Sequence, residues 1–158
     1  MLRNDWVLVH ADEIEIEPVG KGRPRTMRKG NRTVTVTPEK TRQFEKRLAW
    51  LMAGAVTLRQ LERLKFKPGQ PVGVSILAIH SRPQSMMGAK WPDGLIWKHT
   101  RPDGDNIGKA CLDSLEKAGI LHDDAQVVWF EVGKAYAEKT GKARISFELF
   151  ALPEDEQQ

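Results

Sequence analysis

The sequence RPDGDNIGKACLDSLEKAGILHDDAQVV, residues 101–128, combines a turn, an amphipathic helix, a reversal and the start of a strand. Four apolar residues recur in it at helical spacing: Ile107, Cys111, Leu115 and Ala118. Gly119 follows them, and glycine is the residue that most often ends a helix. These features predict a helix over residues 105–118, with Asp105 or Asn106 as the N-cap. Residues 126–136 then predict a strand, so the stretch is a helix–turn–strand unit of an α+β domain.

The sequence outside residues 101–128 predicts further strands and one more helix. Alternating apolar and polar residues predict strands over 11–17, 33–37 and 143–150, and a β-rich apolar run predicts one over 72–80. Helical spacing from Phe44 to Leu58 predicts a helix over 38–64, with Thr37 as N-cap, Pro38 at the first position and Gly54 as a possible interruption. The strands over 126–136 and 143–150 predict a C-terminal β-hairpin.

The composition favours one folded domain. The 158 residues are 40% hydrophobic and 29% charged, which excludes the composition of a disordered chain. We therefore predict a single α+β domain over 1–152, with a mixed β-sheet, two main helices and the C-terminal hairpin, and a polar acidic tail over 153–158. No run approaches the roughly 20 apolar residues that span a membrane, and the first residues do not resemble a secretory signal. The single cysteine, Cys111, fits a reducing compartment and excludes a cysteine-based zinc site.

Positive charge is concentrated near the N-terminus. The net charge is +4, although Glu154, Asp155 and Glu156 in the tail lower it. Basic residues between positions 21 and 32 are Lys21, Arg23, Arg25, Arg28, Lys29 and Arg32. Such a cluster suggests a phosphate-rich partner, because cations that neutralise phosphates release counterions. A merely solvated basic loop explains the cluster equally well.

Residues 81–100 show no clear period. An irregular segment of this length in a compact domain is often a binding loop or a lid. Its mixture of Trp91 and Trp97 with Lys90, Lys98 and His99 is suited to stacking bases and holding phosphates. The alternative, of equal weight, is that the two tryptophans fill the edge of the core.

Carboxylates and a lysine lie around the predicted helix. Asp103 and Asp105 are at its start, and Asp105, Lys109 and Asp113 are four residues apart, opposite the apolar stripe. Asp123 and Asp124 follow the helix, where a return of the chain can bring one of them back toward the first pair. Two or three carboxylates can hold Mg²⁺ for phosphodiester hydrolysis, and Lys109 can stabilise the developing charge.

Each of these features also has an ordinary structural explanation. Asp-Gly-Asp is a common turn sequence, because Asp and Gly favour turns. The four-residue spacings are typical of salt bridges on a helix surface, which contribute about 0.3–0.5 kcal/mol each. Taken one at a time, these explanations are stronger than catalysis.

The order of the motifs resembles a known family. The run from Arg101 to Lys109, then Leu112-Asp113-Ser114-Leu115, then 118–127 with its Asp-Asp-Ala-Gln-Val ending, resembles the RusA family of Holliday junction resolvases. The early Lys21-Gly22-Arg23-Pro24-Arg25 resembles that family's basic N-terminal segment. The resemblance spans about residues 14–149, and Ile107 and Ser114 are small departures from the family pattern.

The resemblance implies a homodimeric, Mg²⁺-dependent endonuclease that resolves four-way DNA junctions by paired symmetric nicks. It implies Asp103, Asp105 and Asp124 as catalytic metal ligands, with Asp124 chosen over Asp123, and Lys109 as the essential lysine. We expect DNA contacts from Lys21, Arg23, Arg25 and Arg101, no membrane association, and a phage or prophage protein of the bacterial cytoplasm. A non-catalytic DNA-binding module and a nuclease for flaps or other branched DNA are the alternatives.

Overall fold

The computed structural model describes residues 6–56 and 66–152. Its strands are β1 (Val7–Ile14), β2 (Arg25–Lys29), β3 (Arg32–Val36), β4 (Val72–His80), β5 (Ile96–Trp97), β6 (Val127–Tyr136) and β7 (Arg144–Ala151). Its helices are α1 (Glu39–Ala55) and α2 (Gly104–Lys117). α1 ends at Ala55 and its C-cap, Val56, is extended, so the helix predicted over 38–64 ends one residue after Gly54, the predicted interruption. Residues 57–64 of that prediction and the predicted acidic tail over 153–158 lie outside the described residues. No described helix has the length and apolar character that crossing a membrane requires.

Five strands form a mixed sheet in the order β1-β7-β4-β6-β5. β4 and β6 are parallel, whereas β1–β7, β4–β7 and β5–β6 are antiparallel. This architecture confirms the predicted α+β class and mixed sheet.

The predicted hairpin between the last two strands is wrong, because β4 lies between β6 and β7. β4 is buried along nearly its whole length and pairs on both edges. A buried strand leaves no backbone N–H or C=O unpaired at either edge, so β4 takes the central place in the sheet.

β2 and β3 form a second, two-stranded sheet. β2 and β3 pair with each other as a hairpin whose residues are almost all exposed. β3 confirms the strand predicted over 33–37, whereas β2 occupies basic residues that suggested a loop. Gly30 has a φ of 62° at the turn, a conformation that glycine adopts at no steric cost. The available signal was Gly30-Asn31, a dipeptide typical of two-residue hairpin turns, directly before the β-branched run of β3.

Both helices pack against the same face of the large sheet. The core includes Leu48 and Met52 of α1, Ile107 and Leu115 of α2, and Phe147 of β7, all fully buried. Gly119, with a φ of 72°, follows the end of α2 as predicted, and the Ile120 amide donates to the Leu115 carbonyl. The strand predicted over 11–17 is β1, which begins at Val7 and ends at Ile14. The predicted alternation continues beyond the strand, since Ile14 and Ile16 are buried and their neighbours exposed.

Both predicted N-caps are corrected. α1 has Pro38 rather than Thr37 as its N-cap, because the Pro38 carbonyl accepts the first helical hydrogen bond, from Arg42. α2 has Asp103 rather than Asp105 or Asn106 as its N-cap, because the Asp103 carbonyl accepts from the Ile107 amide. Neither cap uses a side-chain hydrogen bond.

Residues 81–100 are more ordered than the sequence suggests. The Arg82 guanidinium donates to the carbonyls of Ala137 and Pro92, both at 2.7 Å, and to that of Gly94. The two residues of β5 pair with the end of β6. Trp97 is 74% exposed, so it does not fill the core edge. The Trp91 indole N–H donates to the Ser85 carbonyl within the same segment.

At Gly108, α2 packs closely against side chains of β6. A Cβ there would lie 2.5 Å from Phe130 Cζ and 2.8 Å from Val132 Cγ2, whereas a Cβ at Gly54 of α1 would meet nothing within 4 Å. We expect Gly108→Ala to destabilise the protein by about 1–3 kcal/mol through overpacking, despite the better helix propensity of alanine. Gly54→Ala, the matched control, is expected to stabilise it by up to about 1 kcal/mol. Urea unfolding of both variants measures the difference, and equal shifts in midpoint would contradict the close packing.

Candidate active site

The loop before α2 carries Arg101 and Asp103, and the first turn of α2 carries Asp105. All three side chains are exposed. Lys134 of β6 holds this loop, since its ammonium donates to the carbonyls of Thr100 at 2.8 Å and Pro102 at 2.7 Å. The peptide bond between Arg101 and Pro102 is cis. Sequence reasoning missed Lys134. The sequence places Lys134 on the same face of the strand as Val132, and this was the available signal.

The basic N-terminal segment lies against this loop. A cavity of about 680 Å³ is lined by Lys21, Arg23, Arg101, Asp103 and Asn106, together with Gly20 and Pro102. Three of the four predicted DNA contacts therefore share a cavity with a predicted metal ligand. The fourth, Arg25, is in β2 and lines a neighbouring groove with Arg23 and Pro38. Clusters that are about 80 residues apart in sequence thus form one basic and acidic surface.

Lys109 lies one turn along α2 from Asp105, and its ammonium is 3.7 Å from the Asp105 carboxylate. Both side chains are mostly exposed, so this pair contributes at most about 1 kcal/mol to stability. The outward polar face that the spacing predicted is confirmed. A lysine that lies loosely against a carboxylate there is free to turn toward a bound phosphate.

Asp124 lies near the other end of α2. Oxygens of Glu116, Asp123 and Asp124 all lie within 4.8 Å of one another. The Asp124 amide donates to the Glu116 carboxylate at 2.5 Å, so Glu116 positions the residue. Glu116 was not among the predicted site residues. It could have been found from its spacing of eleven residues from Asp105. This spacing is about three helical turns and places both side chains on one face of α2.

The two aspartates of the Asp-Asp pair have different environments. Asp123 caps the short turn Asp124–Gln126, and its carboxylate accepts from the Ala125 amide at 2.7 Å. The Gln126 side chain accepts from the His122 and Asp123 amides and fixes the turn. Within the described residues, the Asp124 carboxylate accepts no hydrogen bond. Asp124 is therefore the freer of the two for a ligand.

The predicted ligands do not meet within one chain. Asp105 and Glu116 are eleven residues apart in α2, a rise of about 16 Å along the helix. The three-carboxylate group at the far end includes neither Asp103 nor Asp105. One polar face of α2 thus carries carboxylates at both ends and Lys109 between them. Such carboxylates would repel a DNA phosphate unless a cation neutralised them.

Comparison with known proteins identifies the family of this chain. The family model described as endodeoxyribonuclease RusA matches residues 15–148. A protein named crossover junction endodeoxyribonuclease RusA, from Lactococcus phage r1t, is 42% identical over 53 residues. That alignment covers 34% of this chain and 38% of the phage protein, so it spans well under half of either. Because the family model covers most of the sequence, this chain belongs to the RusA endodeoxyribonuclease family.

Proposed function

We propose that this chain is a divalent-metal-dependent endodeoxyribonuclease that resolves four-way DNA junctions by paired symmetric nicks. The observation that carries the proposal is the cavity in which Asp103 lies beside Arg23 and Arg101. It combines the two requirements of a metal-dependent nuclease, an oxygen ligand for a hard cation and cations for the phosphate backbone. The family match and the name of the phage relative support the choice of DNA junctions as substrate.

The donor set fits Mg²⁺ by its chemistry. Asp103, Asp105 and Asp124 are exposed carboxylates, and hard cations such as Mg²⁺ prefer oxygen ligands of this kind. These three residues would hold the ion, and a bound ion would supply charge neutralisation and an activated water. The neighbouring Glu116 positions Asp124 through its backbone amide.

The chain's own cations would bind and orient the DNA. Arg23, Arg25 and Arg101 are placed to contact phosphates, and their guanidinium groups suit bidentate contacts. Lys109 lies on the face between the two acidic ends of α2, where its ammonium would stabilise negative charge developing on the cleaved phosphate. Lys134 would keep the Asp103 loop in place.

A homodimer would explain both the paired nicking and how the separated metal ligands come together. Two-fold symmetry places identical sites on opposing strands of a near-symmetric junction, which paired nicking needs. It also allows Asp103 and Asp105 of one subunit to approach Asp124 of the second, since the length of α2 separates these residues within one chain. We therefore propose that the metal site is completed between two subunits.

Cleavage assays on a fixed and a mobile four-way junction test the proposed function. We expect symmetric nicks on opposing strands in Mg²⁺, and no nicks when EDTA removes the metal. Flap and linear duplex DNA serve as competitors, because a nuclease for other branched DNA shares the same residues. Tight junction binding with no nicking in any divalent metal would show a non-catalytic module. Preferential cutting of flaps would replace the proposed substrate.

A further inference from the structure

Contacts from both helices converge on Lys21 and Gly22. The Lys21 amide donates to the Asn106 carbonyl of α2 at 2.8 Å, and the Lys21 ammonium contacts the Asp113 carboxylate about two turns further along. The Gly22 amide donates to the Thr41 hydroxyl of α1 at 2.9 Å. The basic segment is therefore tied by backbone and side chain to α2 and by backbone to α1.

The neighbouring glycines show how closely this segment approaches the helices. A Cβ at Gly20 would lie 2.7 Å from Pro102 Cβ, and one at Gly22 would lie 2.9 Å from Pro38 Cγ. The segment is thus wedged between the loop that carries Asp103 and the start of α1. Arg23 follows immediately and lines the same cavity as Asp103.

The charge of Lys21 is balanced within the protein. Its side chain is 32% exposed and that of Asp113 is 24% exposed, so the pair is sheltered from solvent more than Lys109 and Asp105 are. The hydrogen bond to Asp113 raises the pKa of Lys21, and the charges of Glu45 and Asp124 act in the same direction. A lysine with such partners adds little net attraction for a DNA phosphate.

We infer that Lys21 is a positioning residue, which with Asp113 holds Arg23 beside Asp103, rather than a phosphate contact. This inference rests on the proposed function, because it assigns the segment a role in binding the junction. Ordering Arg23 before DNA arrives removes an entropic cost that a free loop would pay on binding. Ordering Arg23 should change mainly the affinity for the junction, since Arg23 binds phosphate and does not hold the metal.

Hydrogen exchange tests the anchor without any DNA. We expect the Lys21 and Gly22 amides to exchange about tenfold faster or more in Lys21→Met and in Asp113→Asn, because either change releases the segment. Lys142→Met is the matched control, since Lys142 forms an ion pair with Glu15 elsewhere on the domain. Unchanged exchange in both test variants would overturn the anchor.

Junction binding at several salt concentrations tests the consequence for DNA. We expect each single variant to raise Kd and KM roughly tenfold with kcat little changed, and the double variant to be no worse than either. The exchanged pair, Lys21→Asp with Asp113→Lys, should recover part of the affinity. A direct phosphate contact predicts otherwise: Lys21→Met alone would weaken binding and lower the salt slope by about one. Asp113→Asn would then bind at least as tightly as the parent.

The two proposals fail differently. If the parent protein neither binds nor cuts four-way junctions, the proposed function is wrong, and the exchange measurement still decides whether Lys21 and Asp113 anchor the segment. If the parent cuts junctions and Asp113→Asn matches it in exchange, KM and kcat, the positioning role is wrong and the proposed function stands.

Discussion

Asp105→Asn is expected to lower the rate of junction cleavage by roughly a thousandfold or more while leaving junction affinity intact. Asp105 is exposed at the start of α2, so its replacement by an isosteric amide disturbs no packing. The change removes a metal ligand, and the loss therefore falls on the chemical step. In the absence of metal, removing a negative charge near phosphate cannot weaken the Coulomb attraction to DNA, so Kd measured in EDTA should stay equal or fall.

Single-turnover cleavage and gel-shift affinity separate these two effects. Asp12→Asn is the matched control, because Asp12 is in β1, at the opposite edge of the sheet from β5. It makes the same chemical change away from the site and should leave both rate and affinity near the parent values. An Asp105→Asn protein that cuts at the parent rate would remove Asp105 from the catalytic set.

Local patterns predicted the elements that depend on local properties. The β4 run was correct because an apolar, β-branched sequence suits a buried strand whatever its neighbours. The α2 boundaries were correct to one residue because the apolar stripe and Gly119 both act locally. The hairpin between β6 and β7 was wrong because strand pairing is not local. A short connection between two strands does not reveal that a third strand, β4, is inserted between them.

The candidate site could likewise be predicted only where it depends on local sequence. The motif around Asp103, Asp105 and Lys109 could be recognised in the sequence because its residues share one helix start and one helix face. The cavity with Arg23 could not, since it depends on the packing of residues about 80 positions apart. The contacts of Lys134 with the Asp103 loop and the pairing of Asp113 with Lys21 were missed for this reason. Glu116 could have been found from its phase on α2.

Mixed dimers of an Asp105→Asn subunit with an Asp124→Asn subunit are expected to regain cleavage that both parent variants lack. If the metal site is shared, one of the two sites in a mixed dimer has Asp105 from one subunit and Asp124 from the other, both intact. The second site carries both substitutions. The mixed dimer therefore has one intact active site of two, and it should nick only one of the two opposing strands of each junction. Co-expression with two affinity tags and tandem purification supplies this species.

The control for this experiment pairs substitutions at the same end of α2. A mixed dimer of Asp103→Asn with Asp105→Asn has no intact site under any arrangement, because each site lacks one of the two neighbouring carboxylates. It should remain as inactive as its parents. Recovery in the first mixture and not in the second would place Asp124 opposite the partner's Asp103 and Asp105. If neither mixture recovers, the carboxylates act within one chain, and DNA or metal binding must then bring the two ends of the α2 face together.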